Sequence, residues 1–375
     1  MKKLYLIVFI LYFSLFASGQ ANQMCATPTP TFDVFEGINL DSINNANRMS
    51  DFTYNVKVFV HILRNTNGTN GVRMFEPTIA PANSGNYNFG DTIPSVHDEL
   101  QNLANYFSTH DICFTLVGWE YINDSWLSSG LHWDGTPADP FDNLLSSYPE
   151  VSTDVIDIYI LPQDCYYRGQ ANGIPSTALV MYAGRFEWVH IAHEMGHCLG
   201  LYHTFEPFFG IECPDGSNCS TAGDKVCDTP ADDDGGWSAA PCQYNGGGTV
   251  FCNGVNRFYS PLSNNAMSYA PFACRNSFTP GQRTRMAATL TGVGGVVSPA
   301  VSDNNVMTPP MTWLSGYTFY TAINTVSSNP VGFTVTNSAK VTFTAGDAIE
   351  LQRGFIANPG NGGYFNASIN QICGN

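Results

Sequence analysis

The sequence predicts an α+β domain, a twisted, mixed, mostly parallel sheet with backing helices and a site-bearing helix, followed by a small β-rich C-terminal module. Three observations carry this. Apolar alternation, helical spacing and alternation again succeed one another in the order strand, helix, three strands, helix through residue 199. A cysteine-dense stretch without periodicity runs from Phe205 to Asn265. Beyond Met311 short alternating runs sit between glycines.

Val56, Val58, Val60 and Ile62 alternate with other residues and read as the first strand. Ile93 to Phe107 has helical spacing through Val96, Leu100, Leu103 and Tyr106. Ile112 to Val117, Asp154 to Leu161 and Thr177 to Tyr182 read as three further strands. Glu187 to Leu199 reads as a helix. The strand just before it, Thr177 to Met181, is the candidate for pairing with an extended peptide. Thr279 as N-cap and Pro280 at the first position open a final helix to about Leu290. A Gly/Pro/Ser/Asn linker spans 293–310. In the tail, Phe333/Val335, Val341/Phe343, Ile349/Leu351 and Phe365/Ala367/Ile369 alternate, and no strict internal repeat is found.

At 375 residues, two folded parts with processed ends are expected. Residues 1–19 read as a signal peptide: basic Lys2-Lys3, an apolar run from Leu4 to Phe16, then small residues at Ala17-Ser18-Gly19. The chain is therefore expected to be secreted. No segment predicts stable membrane insertion. Residues 20–48 read as a pro-segment, 49–292 as the main folded domain and 311–375 as the β-rich module. The formal net charge of −16 excludes nucleic acid as an expected partner and leaves carboxylates for hard cations such as calcium. Eleven cysteines in an exported chain imply disulfides with at least one thiol left over.

The chemistry concentrates in one run, from His193-Glu194 through His197 and Gly200 to His203. Residues four apart share a helix face, so His193 and His197 present two imidazoles to one point. Gly200 permits a left-handed turn, and the chain returns with His203 as third ligand. Three neutral nitrogens with an open fourth position describe a catalytic zinc site rather than a closed structural one. Glu194 is placed to hold a water as general base. An ordinary amphipathic helix is the bland alternative, and five specified positions together weigh against it.

This HExxHxxGxxH pattern resembles the metzincin metallopeptidases, whose second signature, a Met-turn, matches Asn265-Ala266-Met267-Ser268-Tyr269. The resemblance narrows to the pappalysin family, in its cytophagalysin/ulilysin-like branch. It is carried by His193 to Phe205, Gly223-Asp224-Lys225-Val226-Cys227-Asp228-Thr229-Pro230, Cys274 and Phe278-Thr279-Pro280-Gly281-Gln282 with Arg285-Met286. It covers roughly residues 50–292 and implies a metzincin-like catalytic domain hydrolysing protein or peptide substrates with Zn2+. It further implies that Tyr269 lies near the zinc and assists the oxyanion. It also implies a calcium-supported loop, onto which Asp224, Asp228 and Thr229 map; a solvated acidic turn is the alternative. Asp232-Asp233-Asp234 reads as a solvated run.

The family pattern suggests disulfides Cys242–Cys274 and Cys213–Cys252. Cys219–Cys227 is a candidate additional pair, and Cys113 and Cys165, on or beside strands, a fourth. Cys198, inside the zinc helix, reads as a buried free thiol. Cys25, in the pro-segment, is a candidate latency ligand whose thiolate takes the fourth position on zinc; an incidental cysteine is the alternative. Some family members read a basic residue after the cleaved bond with an acid between the Met-turn tyrosine and the next cysteine. Here Ala270-Pro271-Phe272-Ala273 holds no acid, so an apolar pocket is expected. The rival reading is a catalytically silent secreted binding or adhesion protein on the same fold.

Overall fold

Strand β1, Tyr54–Arg64, lies near the middle of a five-stranded sheet, and its valines explain its position. Val56, Val58, Val60 and Ile62 point to one face and are fully buried, while Phe59, His61 and Leu63 are buried on the other. A strand buried on both faces belongs inside a sheet covered by two layers. The computed structural model describes residues 25, 27–40, 54–79, 92–128, 140–162, 168–183, 187–238, 242–295, 298–300, 302–306, 312–313, 317–328, 333–345, 348–351, 354–360 and 362–369. The expected signal peptide lies outside them.

The other strands are β2 (Ile112–Asn123), β3 (Ile156–Leu161), β4 (Gly169–Ala171) and β5 (Ala178–Tyr182), in the order β2-β1-β3-β5-β4. All neighbours are parallel except β4, which runs antiparallel to β5. One face carries helix α1 (Val96–Ser108), the zinc-motif helix α2 (Trp188–Cys198) and α3 (Pro280–Leu290), sharing a core with the β1 valines. Ser95 caps α1 by accepting the Asp98 N–H, which moves its start three residues past the expected Ile93. Thr279 caps α3 in a reciprocal capping box with Gln282, and Pro280 opens the helix as expected.

Two sequence expectations change here. Strand β5 is not an edge: β3 lies on one side and β4 on the other, so its backbone hydrogen bonds are taken. The chain beyond Leu161 folds back along the outer side of β5, and β4 becomes the sheet border. The region from Phe205 to Asn265 is also not wholly irregular. Thr249–Cys252 and Val255–Phe258 form an antiparallel hairpin. Its turn residues, Asn253 (φ 52°) and Gly254 (φ 85°), take the two left-handed conformations of a type I′ turn.

Disulfides join Cys213 to Cys252, Cys219 to Cys227 and Cys242 to Cys274. Cys113 is disulfide-bonded, and Cys165 lies outside the described residues. Cys25 and Cys198 are buried free thiols. From Ser302 the chain alternates between two parallel ladders. Ser302–Val306, Tyr317–Ser327, Lys340–Ala345 and Tyr364–Ile369 build one; Thr312–Trp313, Thr334–Asn337 and Ile356–Pro359 build the other. Among the described residues no helix is long and apolar enough to cross a membrane.

Candidate metal centre

Helix α2 brings His193 and His197 to one point, one turn apart. The helix ends at Cys198 with Leu199 as its cap, and Gly200 at φ 90° turns the chain so that His203 returns to the same place. The Nε2 atom of His203 lies 3.1 Å from Nε2 of His193 and 3.2 Å from Nε2 of His197. Nitrogens sharing a tetrahedral zinc would stand about 3.3 Å apart. Two of the other ring nitrogens are committed: His193 Nδ1 donates to Ala266 O and His197 Nδ1 to Leu201 O, each at 2.8 Å. That assignment leaves the Nε2 lone pairs facing inward. Burial holds His193 and His203 well below the usual histidine range and draws His197 down to about 4, so all three are neutral at pH 7. Three converging neutral nitrogens fit a divalent metal cation.

The Met-turn lies beneath them. Met267 is fully buried, and a Cβ on Gly196 would stand 2.5 Å from its sulfur, so glycine there lets the Met267 side chain pack directly against α2. Met267 O accepts the Thr204 N–H, and Ala266 O is the acceptor that orients His193. Asn265 exchanges two side-chain hydrogen bonds with Gln282, fastening this turn to the start of α3. Asp232 is the staple that the sequence did not reveal. Rather than lying in a solvated run, it is 7% exposed, and its Oδ2 accepts from Thr204 (2.7 Å) and Ser268 (2.9 Å). It thus ties the third-histidine segment to the Met-turn.

Glu194 is 1% exposed, and burial pushes its pKa up to about 7 against three hydrogen-bond donors. Those donors are the Thr27 hydroxyl (2.9 Å), the Cys25 thiol (3.3 Å) and the Ala171 N–H of β4 (3.1 Å). Cys25 pairs in parallel with Gly169, so the segment around it lies along the border strand. The Cys25 sulfur and the ligand nitrogens of His193, His197 and His203 all lie within 4.8 Å of one another. Burial and the Glu194 carboxylate raise the thiol's pKa, an order that a bound cation reverses. The Tyr269 ring packs 5.1 Å from that of His203, and its hydroxyl donates to Cys25 O at 3.4 Å.

The expected calcium residues separate. Both carboxylate oxygens of Asp224 accept from the Thr229 hydroxyl at 2.8 Å, and Asp224 is 1% exposed. Asp228 instead caps α3, accepting from the Thr279 hydroxyl and the Gly281 N–H, where a helix N-terminus favours a carboxylate. Glu212, unremarked in the sequence, lies over Gly223 beside Asp224, and burial raises it to about 7. Among the described residues its Oε2 has no hydrogen-bond partner.

A helix bearing HExxH, a glycine turn, a third histidine and a methionine floor define a metallopeptidase. Residues 179–291 match the family model Peptidase_M43, described as pregnancy-associated plasma protein-A, and the chain is a metalloendopeptidase similar to that family over those residues. Among relatives, an extracellular metalloprotease of Colletotrichum graminicola is 27% identical over 302 residues, 73% of this chain and 92% of that one. Pappalysin-1 of Homo sapiens is 37% identical over 107 residues, 26% of this chain and 6% of that one. A solved structure of Tannerella forsythia mature mirolysin with a cleaved peptide aligns over 66% of this chain and 96% of that one, at 21% identity and TM-score 0.41.

Proposed function

We propose that the protein is a secreted zinc endopeptidase with Glu194 as general base, exported as a zymogen closed by Cys25. The convergence of three neutral Nε2 atoms beside a buried carboxylate carries this reading. Bound zinc would supply a Lewis acid and acidify a water to a pKa of about 7. Glu194 accepts the proton of the attacking water and delivers it to the leaving amine, a role suited to a carboxyl raised to about 7. Tyr269 donates to the oxyanion once the Cys25 carbonyl has left its hydroxyl. The Ala171 N–H, on the sheet border, serves the extended substrate backbone.

The test joins metal content to turnover. The purified protein is expected to carry one zinc and, once activated, to cleave casein. Glu194→Ala is expected to keep the zinc and lose activity about 10³-fold or more. Activity retained by that variant, or a zinc-free protein, would overturn the reading. Zinc with no turnover in the activated native chain would favour the silent binding protein. For latency, Cys25→Ala is expected to give a proenzyme active without processing; unchanged latency sinks the thiol lock.

Calcium is proposed at Glu212, Asp224 and Thr229 rather than at Asp228. Two buried carboxylates face one another there, and hard-cation binding relieves both desolvation penalties. Calcium added to the zinc-loaded protein is expected to raise its Tm by several degrees, and Glu212→Gln to remove the increment. A Tm indifferent to calcium retires the site.

A further inference from the structure

A second cluster binds the N-terminal segment away from the histidines. Asp33 Oδ1 accepts from Arg285 Nη2 at 2.6 Å, from the Tyr202 hydroxyl at 3.2 Å and from the Phe35 N–H at 3.1 Å. Lys225 Nζ lies 3.3 Å from its other oxygen and 2.7 Å from Glu36. The Asp33 and Arg285 side chains are 4% and 2% exposed. The chain holds 15 Lys and Arg against 31 Asp and Glu, yet two of those cations converge on this one carboxylate.

The pocket is shaped as well as charged. The Arg285 guanidinium carbon stands 4.4 Å from the Tyr202 ring centre and 4.9 Å from that of Phe35. Arg285 Nε donates to Gly200 O at 2.6 Å, so the guanidinium is fixed against the turn between His197 and His203. Phe35, 3% exposed, covers that turn; a Cβ on Gly200 would stand 3.2 Å from its ring. Lys225 holds a left-handed backbone at φ 59°, an uncommon cost for a lysine, as it reaches Asp33 and Glu36.

We infer that Arg285, Lys225 and Tyr202 form a carboxylate-binding site for Asp33 of the pro-segment, with Phe35 filling the apolar half. The inference rests on reading residues 20–48 as a pro-segment released on activation. The segment is then held at two points, Cys25 and Asp33, close enough in sequence that each contact raises the effective concentration of the other. Emptied on activation, the site takes an acidic peptide with an aromatic residue two positions further on.

A labelled peptide of residues 27–40, which lacks Cys25, tests the site without the thiol. It is titrated by fluorescence anisotropy against the activated protein, with zinc and after chelation. Binding is expected in both states and weakens with salt. Asp33→Asn in the peptide is expected to weaken it about thirtyfold or more. The substitution sits in the peptide, so the fold of the protein is not in question. In the intact chain, hydrogen exchange at the Glu36 and Ile38 amides, bonded to Asp33 O and Phe35 O, is expected to rise at least tenfold in Asp33→Asn. Equal affinity of both peptides, no binding by either, or unchanged exchange overturns the anchor. Latency in Cys25→Ala alongside Asp33-dependent binding would sink the thiol lock and keep the anchor. Lost latency with Asp33-independent binding would do the reverse.

Discussion

Asp232 joins two segments that meet only in the folded chain. Its neighbours Thr204 and Ser268 follow the third histidine and the Met-turn methionine, each by one residue. Removing it strands two buried hydroxyls and the N–H groups of Asp233 and Asp234. Asp232→Ala is therefore expected to cost about 2–3 kcal/mol in denaturant unfolding and to weaken zinc retention. Asp232→Asn, which keeps an acceptor, should cost less. The triple aspartate was visible in the sequence, but nothing local distinguished its one buried member from two neighbours. His193, His197 and Glu194 were legible because their geometry is set within a single helix. In the acid-free stretch after Tyr269, Ala270 is buried and the half-exposed Phe272 packs its ring 6.0 Å from that of His190. A peptide library is expected to show no strict preference for Arg or Lys after the cut; cleavage only before those residues would refute it.

Among elements, α3 shows how a local signal reaches the centre. Thr279 accepts the Gln282 N–H, and Gln282 in turn grips Asn265 at the head of the Met-turn. Thr279→Ala is expected to cost about 1 kcal/mol, read as a lower Tm. Thr-Pro announced that cap from the sequence. The hairpin at residues 249–258 carried an equally readable signal, Asn253-Gly254 between β-prone runs, masked by its surroundings of glycine and cysteine. The border strand was not readable. Gly169–Ala171 is three residues long and has no period of its own; only pairing with β5 makes it a strand.

At the scale of the molecule, His61 connects the two faces of the chain's organisation. It lies on the sheet face opposite α2, with Nε2 2.7 Å from Asp157 and Nδ1 3.0 Å from Glu120. Glu120 also accepts from Tyr317, which Lys340 contacts at 2.6 Å, so strands beyond residue 302 dock on this network. Burial would lower the His61 pKa, but its hydrogen bonds to Asp157 and Glu120 outweigh it and the net direction is upward from 6.5. A raised folded pKa contributes stability that is complete below the unfolded value and is lost as pH rises through the folded one. The Tm difference between the protein and His61→Gln is expected to be largest below about pH 6.5 and to shrink at higher pH. A difference that grows with pH would refute the assignment.

The sequence by itself determined the histidine-bearing helix, the returning histidine, the caps and the alternation of the strands, because each depends on dihedral preferences and spacing within a few residues. It also carried enough motif to name the class of chemistry. Tertiary structure decided which strand borders the sheet, where Asp228 and Asp232 place their charges, and which cations meet Asp33. Those outcomes depend on contacts far apart in the chain, 252 residues in the case of Asp33 and Arg285, and no local period encodes a partner at that distance.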